Sequence, residues 1–325
     1  MRVPMRTTVT RVLLVLVMAG AGLGLATSNA SAAPVSINLC AVSGTVTMPG
    51  SVSVPIWGFG TPTTPGDCST ATAGMPGPVM DVLDGDTVTI SVTNALPAGH
   101  TLSFEIPGVD FDAGLTNAAV GATVTRSFTA SKPGTYLYQS GGDAGRQAAM
   151  GLYGALIVRP TTANQAYDSA ATAYDVEALL VLSAIDPDFN AAPDTFNMHS
   201  YTATYWLING KAYPETTPIA AGAGQRVLLR YLNAGYDNTT MMLLGMHEDV
   251  VGRDARPLNN PLEANAETIP AGATEDAIAT VPSGSAPSTH GFPLYNRQQH
   301  VTNGTQNAQS PTPGAGGGML TFIQP

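Results

Sequence analysis

Alternation of apolar and hydroxyl-bearing residues is the clearest pattern in the chain. In "GDTVTISVTNAL" (residues 85–96), Val88, Ile90 and Val92 alternate with threonines and a serine. Successive side chains of a β-strand point to opposite faces, so this pattern predicts a strand with one buried face. Similar short segments predict further strands at 43–50, 51–59, 100–106, 122–130, 134–140, 153–160, 177–185, 203–210, 225–235, 239–251, 276–282 and 317–325.

The spacing of these segments predicts an all-β fold with two tandem units. Residues 159–175, "RPTTANQAYDSAATAYD", are small and polar without a period, which is typical of a connection between domains. We therefore assign the first domain to residues 33–159, a linker to 160–173 and the second domain to 174–325. The second set of strands has a spacing similar to the first, which indicates a repeated β-sandwich.

The N-terminus has the pattern of an export signal. Arg2, Arg6 and Arg11 precede the apolar run "VLLVLVMAGAGLGLA", and small residues follow at 30–32. The run is interrupted by glycines and is shorter than a membrane span of about 20 residues. We predict a signal peptide over residues 1–32, cleavage after Ala32, and a secreted protein without a membrane span.

The net charge narrows the range of partners. The 13 basic and 23 acidic residues give a formal charge of −10, and removal of the three signal-peptide arginines changes it to −13. A chain with this charge repels nucleic acid and anionic lipid at long range. Nucleic acid and membrane surfaces are therefore excluded as expected partners, and an extracellular ligand or protein remains.

Two cysteines, Cys40 and Cys68, allow two interpretations. Export places them in an oxidising compartment, where a disulfide persists and would stabilise the fold by about 3 kcal/mol. The alternative is a thiolate copper ligand, which requires histidines nearby, and neither cysteine has a histidine within the adjoining thirty residues. The sequence favours the disulfide.

Several segments resemble the multicopper oxidase family. "MPGPVMDVLDGDTVTISVTNALP" is similar to the family's opening signature, and "FTASKPGTYLYQS" with "MGLYGALIVRP" resembles its domain closure. "INGKAYPETTPIAAGAGQRVLLRYLNAG" resembles the start of a later domain. The resemblance implies two plastocyanin-like (cupredoxin) Greek-key sandwiches, and copper centres in the relatives. The small two-domain members form trimers, which makes a homo-trimer the implied assembly.

The copper ligands implied by the resemblance are largely missing. Two His-x-His pairs of the family's first domain would fall on Ser103 and Glu105, and on Gln139 and Gly141. Copper binds imidazole and thiolate far better than hydroxyl or amide groups. The family's full set of ligands also requires more histidines than the five in this chain.

A reduced set of soft donors remains in "MMLLGMH". As a strand, this segment places Met242 and Met246 on one face and His247 on the other. Thioether sulfur and imidazole suit copper(I), which makes Met242, Met246 and His247 candidate ligands. The competing interpretation is that the methionines are flexible core residues.

Two hypotheses of function follow. The first is a secreted relative of the oxidases that has lost its copper centres, has no cofactor and no catalytic residues, and acts as an extracellular binding or structural module. The second is a copper-dependent oxidoreductase or copper(I)-binding protein that uses the reduced Met and His set. The missing ligands favour the first hypothesis and a protein that is not an enzyme, because a fold does not by itself fix an activity.

Overall fold

A computed structural model describes residues 32–112, 117–304 and 317–325. Within these ranges the chain is built almost entirely of β-strands, as the alternating pattern predicts. The predicted signal peptide, residues 1–32, lies outside the described residues except for Ala32.

The described residues of the first half form a sandwich of nine strands. They are β1 (Pro34–Met48), β2 (Val52–Gly60), β3 (Met80–Leu83), β4 (Thr87–Ala95), β5 (Leu102–Ser103), β6 (Asn117–Ala118), β7 (Thr123–Thr129), β8 (Gly134–Gln139) and β9 (Tyr153–Arg159). One sheet has the order β2-β1-β4-β7, a second has the order β3-β9-β8, and β5 pairs with β6. Apolar side chains from both larger sheets share one core.

The second half repeats this plan with eleven strands. They are β10 (Val176–Ile185), β11 (Tyr205–Ile208), β12 (Ile219–Ala220), β13 (Arg226–Asn233), β14 (Thr239–Leu243), β15 (Glu248–Arg253), β16 (Arg256–Ala264), β17 (Ala266–Ile269), β18 (Thr274–Thr280), β19 (Phe292–Asn296) and β20 (Leu320–Gln324). The sheet orders are β11-β10-β13-β18-β15-β16 and β12-β20-β19-β14-β17. The parallel pairs β1/β4 and β3/β9 have counterparts in β10/β13 and β12/β20.

In the described residues, helical structure is confined to short turns in the connections. Two α-helical turns are α1 (Arg146–Ala149) and α2 (Pro187–Ala191). Four 3-10 turns cover Cys68–Thr70, Asp143–Gly145, Ala170–Thr172 and Met198–Ser200. None of the helices in the described ranges is long and apolar enough to cross a membrane.

Strand β4 confirms the predicted alternation. Val88, Ile90 and Val92 are fully buried in the first core. On the opposite face the hydroxyl groups of β4 bond to those of β7, in the pairs Thr89–Ser127, Ser91–Thr125 and Thr93–Thr123, at 3.1, 3.1 and 2.8 Å. Cross-strand pairs of this kind stabilise a sheet without burying apolar surface. The hydroxyl-rich composition therefore serves the outer face.

The predicted disulfide is confirmed. Cys40 lies in β1 and Cys68 in the 3-10 turn that follows β2, and their sulfur atoms are bonded. The bridge closes a loop across 28 positions of sequence separation. Because both sulfur atoms belong to the disulfide, neither is a free thiolate that could bind a metal.

The segment 239–251 differs from the single predicted strand. It forms two strands, β14 in the five-stranded sheet and β15 in the six-stranded sheet, with a turn at Leu244 and Gly245. Gly245 has a φ of +86°, which a residue with a side chain rarely adopts. The turn breaks the two-residue period, so the predicted sharing of one face by Met242 and Met246 is wrong.

The two halves are joined by an apolar seam and a buried ionic network. The seam contains Leu137 and Tyr153 of the first half and Leu207 and Leu232 of the second. In the network, the guanidinium of Arg230 contacts Asp276 at 3.4 Å and donates to Thr135 Oγ1 at 2.9 Å. The Thr135 hydroxyl in turn donates to Asp276, so one hydrogen-bond network crosses the interface.

Candidate functional site

Three of the four positions implied by the family resemblance meet at the end of β8. Glu105 and Gln139 exchange both backbone hydrogen bonds, at 3.0 and 2.9 Å. Their side chains are also paired, because the Gln139 amide donates to the Glu105 carboxylate at 2.9 Å. Gly141 lies so close that an added Cβ would be 2.7 Å from the carboxyl group of Glu105. An amide, a carboxylate and a bare backbone therefore occupy this corner.

The fourth position, Ser103, lies apart from this pair. It is in β5, where it pairs with Asn117 of β6, and its side chain is half-buried. Among the described residues, its hydroxyl makes no hydrogen bond to Glu105 or Gln139. Glu105 and Gln139 are therefore hydrogen-bonded to each other at the positions implied by the resemblance, and Ser103 takes no part in this bond.

A second polar pair, which the sequence analysis missed, closes the loop after β8. The buried Ser140 hydroxyl donates to Gln147 Oε1 at 2.6 Å, and the Gln147 amide donates to the Thr101 carbonyl at 3.0 Å. Ser140 also accepts a hydrogen bond from the Gly142 amide at 3.3 Å. The only signal in the sequence is a lone glutamine among small residues in "GRQAAMG". A side chain that bonds a residue 46 positions away leaves no local pattern.

An aromatic segment of the second half is hydrogen-bonded to this loop. Arg146 at the start of α1 donates to the carbonyls of Pro193 and Phe196 at 2.6 and 3.0 Å. Phe189 packs its ring edge-on against Phe196 and Tyr201, each with centroids 5.7 Å apart. The loop is therefore held by its own polar pair and by the hydrogen bonds of Arg146 to this segment.

The histidines are dispersed and engaged in separate contacts. His100 packs on Trp57, with ring centroids 4.4 Å apart, and lies 3.4 Å from the Asp194 carboxylate. His300 stacks on Trp206 at 4.4 Å, and partial burial lowers the pKa of its imidazole. The remaining three, at 199, 247 and 290, are exposed. In the described ranges, no group of three or more His, Cys, Asp or Glu side chains is arranged to hold a metal ion.

The candidate copper(I) ligands lie in three different environments. Met246 is buried in the second core together with Met241 and Met319. Met242 is half-buried and accepts a hydrogen bond from the Tyr295 hydroxyl at 3.3 Å. His247 follows the turn and is exposed. The structure thus places Met246 and His247 on opposite sides of the backbone.

A cleft next to the Glu105–Gln139 pair is open to solvent and is formed by both halves. Its volume is about 430 Å³. The first half contributes Glu105, Gln139 and small residues of the loop, and the second half contributes Tyr236 and Gly272. Tyr236 is 54% exposed, and its ring packs on Tyr201 with centroids 5.2 Å apart. The cleft therefore presents an exposed aromatic ring next to polar side chains.

The Ser140–Gln147 pair is expected to contribute to stability. Replacement Gln147→Leu removes the acceptor of the buried Ser140 hydroxyl and the side chain that donates to the Thr101 carbonyl, so we expect the free energy of unfolding to fall by about 1–3 kcal/mol. Urea denaturation measures the change. Ser140→Ala added to Gln147→Leu removes one of the orphaned groups, so the double variant should lose less than the sum of the single losses. Additive losses would show that the pair does not interact.

Comparison with known proteins finds similarity to copper-containing enzymes. The multicopper oxidase family model matches residues 62–163. A copper-containing nitrite reductase of Alcaligenes xylosoxydans is 28% identical over 247 residues, which are 68% of this chain and 73% of that protein. An L-ascorbate oxidase of Brassica rapa is 39% identical over 92 residues, 26% of this chain and 16% of that protein.

Solved structures show the same fold. A blue copper oxidase from Nitrosomonas europaea superposes with a TM-score of 0.72 at 22% identity, covering 90% of this chain and 86% of that chain. A copper nitrite reductase from the same organism gives a TM-score of 0.65 at 21% identity, covering 90% of this chain and 94% of that chain. At 21–22% identity, these likenesses show a shared fold.

Proposed function

We propose, on the premise that this chain is a multicopper oxidase-like protein, that it has kept the family's scaffold without its copper centres and acts outside the cell as a binding or structural module. The observation that carries the proposal is the Glu105–Gln139 hydrogen bond of 2.9 Å. Groups that satisfy each other in this way are not arranged as metal donors, and an amide is a poor ligand for copper.

The donor set at the corner does not fit a copper cluster. Gly141 has no side chain, and the space that a side chain would need there is taken by the Glu105 carboxyl group. A histidine at position 141 would therefore clash with Glu105 as the residues now stand. The substitutions at 105, 139 and 141 match one another, which supports a stable arrangement without metal.

The alternative function, copper(I) binding through Met242, Met246 and His247, has weaker support. Met246 packs in the apolar core, where a flexible thioether is a common filler. His247 faces solvent on the far side of the turn. A shared site would require the turn around Gly245 to rearrange.

The proposed location outside the cell is supported by one feature of the sequence and one of the structure. The arginine-flanked apolar run at the N-terminus is typical of an export signal. The Cys40–Cys68 disulfide is the form that cysteines take in an oxidising compartment. The cleft beside Tyr236 offers such a secreted module a place to bind a ligand.

Oxygen consumption tests the proposal. Protein purified and loaded with copper(II) is mixed with a phenolic substrate in an oxygen electrode, with a laccase assayed in parallel as a positive control. We expect no oxygen uptake above the rate of free copper at the same concentration, because the cluster that reduces oxygen cannot assemble. Catalytic uptake that persists after unbound copper is removed would refute the proposal.

A further inference from the structure

A second cavity lies between the two halves and has a different charge from the rest of the molecule. Its volume is about 400 Å³. The first half contributes Lys132 and Tyr136, and the second half contributes Asp254, Arg256 and Thr274. One cationic residue of each half, Lys132 and Arg256, thus lines the same cavity.

Neither cation forms an ion pair with a carboxylate of the described residues. In the described part of the chain, ion pairs are made by Arg159, Arg230, Arg253 and His100, whereas Lys132 and Arg256 have no carboxylate within 4.0 Å. The Asp254 carboxylate also lines the cavity, but it accepts the Thr274 amide at 3.0 Å. The lining therefore carries two cations and one anion.

The net positive charge of the residues that line this cavity contrasts with the acidic composition of the chain. The formal charge of the whole sequence is −10, and it has only two lysines, Lys132 and Lys211. A concave surface with low-dielectric walls concentrates the field of the charges that line it. An anion repelled by the rest of the surface would meet a local attraction at this cavity.

The backbone that carries Lys132 is fixed. The Tyr136 hydroxyl donates to the Lys132 carbonyl at 2.8 Å and ties the turn before β8 to the strand itself. Arg256 is the first residue of β16, directly after the turn at Asp254 and Ala255. Both cations therefore project from anchored backbone, which lowers the entropy lost when a ligand is bound.

We propose that this cavity is a binding site for a small anion that carries carboxylate or phosphate oxygens. Arg256 supplies a planar fork of donors that matches two oxygens of such a group, and Lys132 supplies a second, compact charge. The inference rests on the proposed function only in that it names a class of ligand for the binding module. The cavity itself is separate from the Glu105–Gln139 pair, because neither cation contacts that pair.

Isothermal titration at low ionic strength tests the inference, with citrate and inorganic phosphate as separate probes. We expect at least one probe to bind wild-type protein, and the tighter of the two identifies the class of oxygen donor. The variants K132Q and R256Q should each weaken that binding by about 10-fold or more, because each removes a charge-assisted contact. Added sodium chloride should weaken it as well.

Lys211→Gln is the matched control. Lys211 lines a separate cavity together with Glu215, so its loss changes the net charge equally without touching the proposed site. The inference is overturned if neither probe binds wild-type protein, if K132Q and R256Q bind as wild type does, or if K211Q weakens binding equally. Urea denaturation of each variant confirms that it is folded. Copper content is measured on the same samples, so a copper-binding protein would be recognised independently of the anion result.

Discussion

Replacing Arg230 with methionine is expected to lower the free energy of unfolding by about 3–5 kcal/mol, because removal of one partner leaves a buried charge uncompensated. The Arg230 side chain is fully buried, and Asp276 beside it is 1% exposed. Arg230 also donates to Glu177, which lies on the neighbouring strand β10. Urea denaturation of the variant measures the loss.

Arg297→Met provides the control for this change. Arg297 is exposed, so the same substitution there should alter the free energy of unfolding by less than about 0.5 kcal/mol. Asp276 also accepts the Tyr167 hydroxyl at 2.7 Å, so the network has a second link that remains in the variant. Equal small losses for Arg230→Met and Arg297→Met would show that the buried network does not stabilise the interface.

Stability is expected to fall as the pH rises from about 4.5 to 7. Burial raises the pKa of Glu248 from 4.5 to about 7, with neighbouring Glu275 adding to the rise, although the Tyr231 hydroxyl bond opposes it. The folded protein therefore keeps a proton that the unfolded chain loses above pH 4.5. One such group makes stability fall by about 1.4 kcal/mol per pH unit across this window, with no further loss above pH 7.

The variant Glu248→Gln isolates this contribution. Glutamine keeps the shape and can still accept from Tyr231, which bonds Glu248 Oε2 at 2.9 Å. The difference in free energy of unfolding between the variant and wild type should grow with pH between 4.5 and 7 and then stay level. Glu263→Gln, on the exposed face of β16, should show no such growth. A parallel pair of stability curves for wild type and Glu248→Gln would contradict the assignment.

The alternating segments predicted the fold because each places one face in a core. Strands β4, β10 and β13 follow from their apolar runs, and the repeat of the two halves follows from their spacing. Strand β16, "RPLNNPLEA", could not be found in this way, because most of its residues are exposed and two are prolines. It is an edge strand, held by pairing with β15, and its sequence carries no burial pattern.

The candidate site was predictable only where a resemblance supplied the positions. Glu105 and Gln139 are 34 residues apart in the sequence. The family resemblance places them on two His-x-His pairs of one site, which predicts that they lie close together. Ser140 and Gln147 had no such guide, although they are buried and close the same loop. The methionines were misplaced because the prediction extended a strand through Gly245, where the chain crosses from one sheet to the other.

Copper stoichiometry tests the central claim most directly. Purified protein is dialysed against copper(II) in air and, separately, against copper(I) without oxygen, freed of unbound metal, and analysed for copper per chain. The Glu105–Gln139 pair and the dispersed histidines predict a content well below one copper per chain under both conditions. One or more copper atoms retained by each chain would contradict the account.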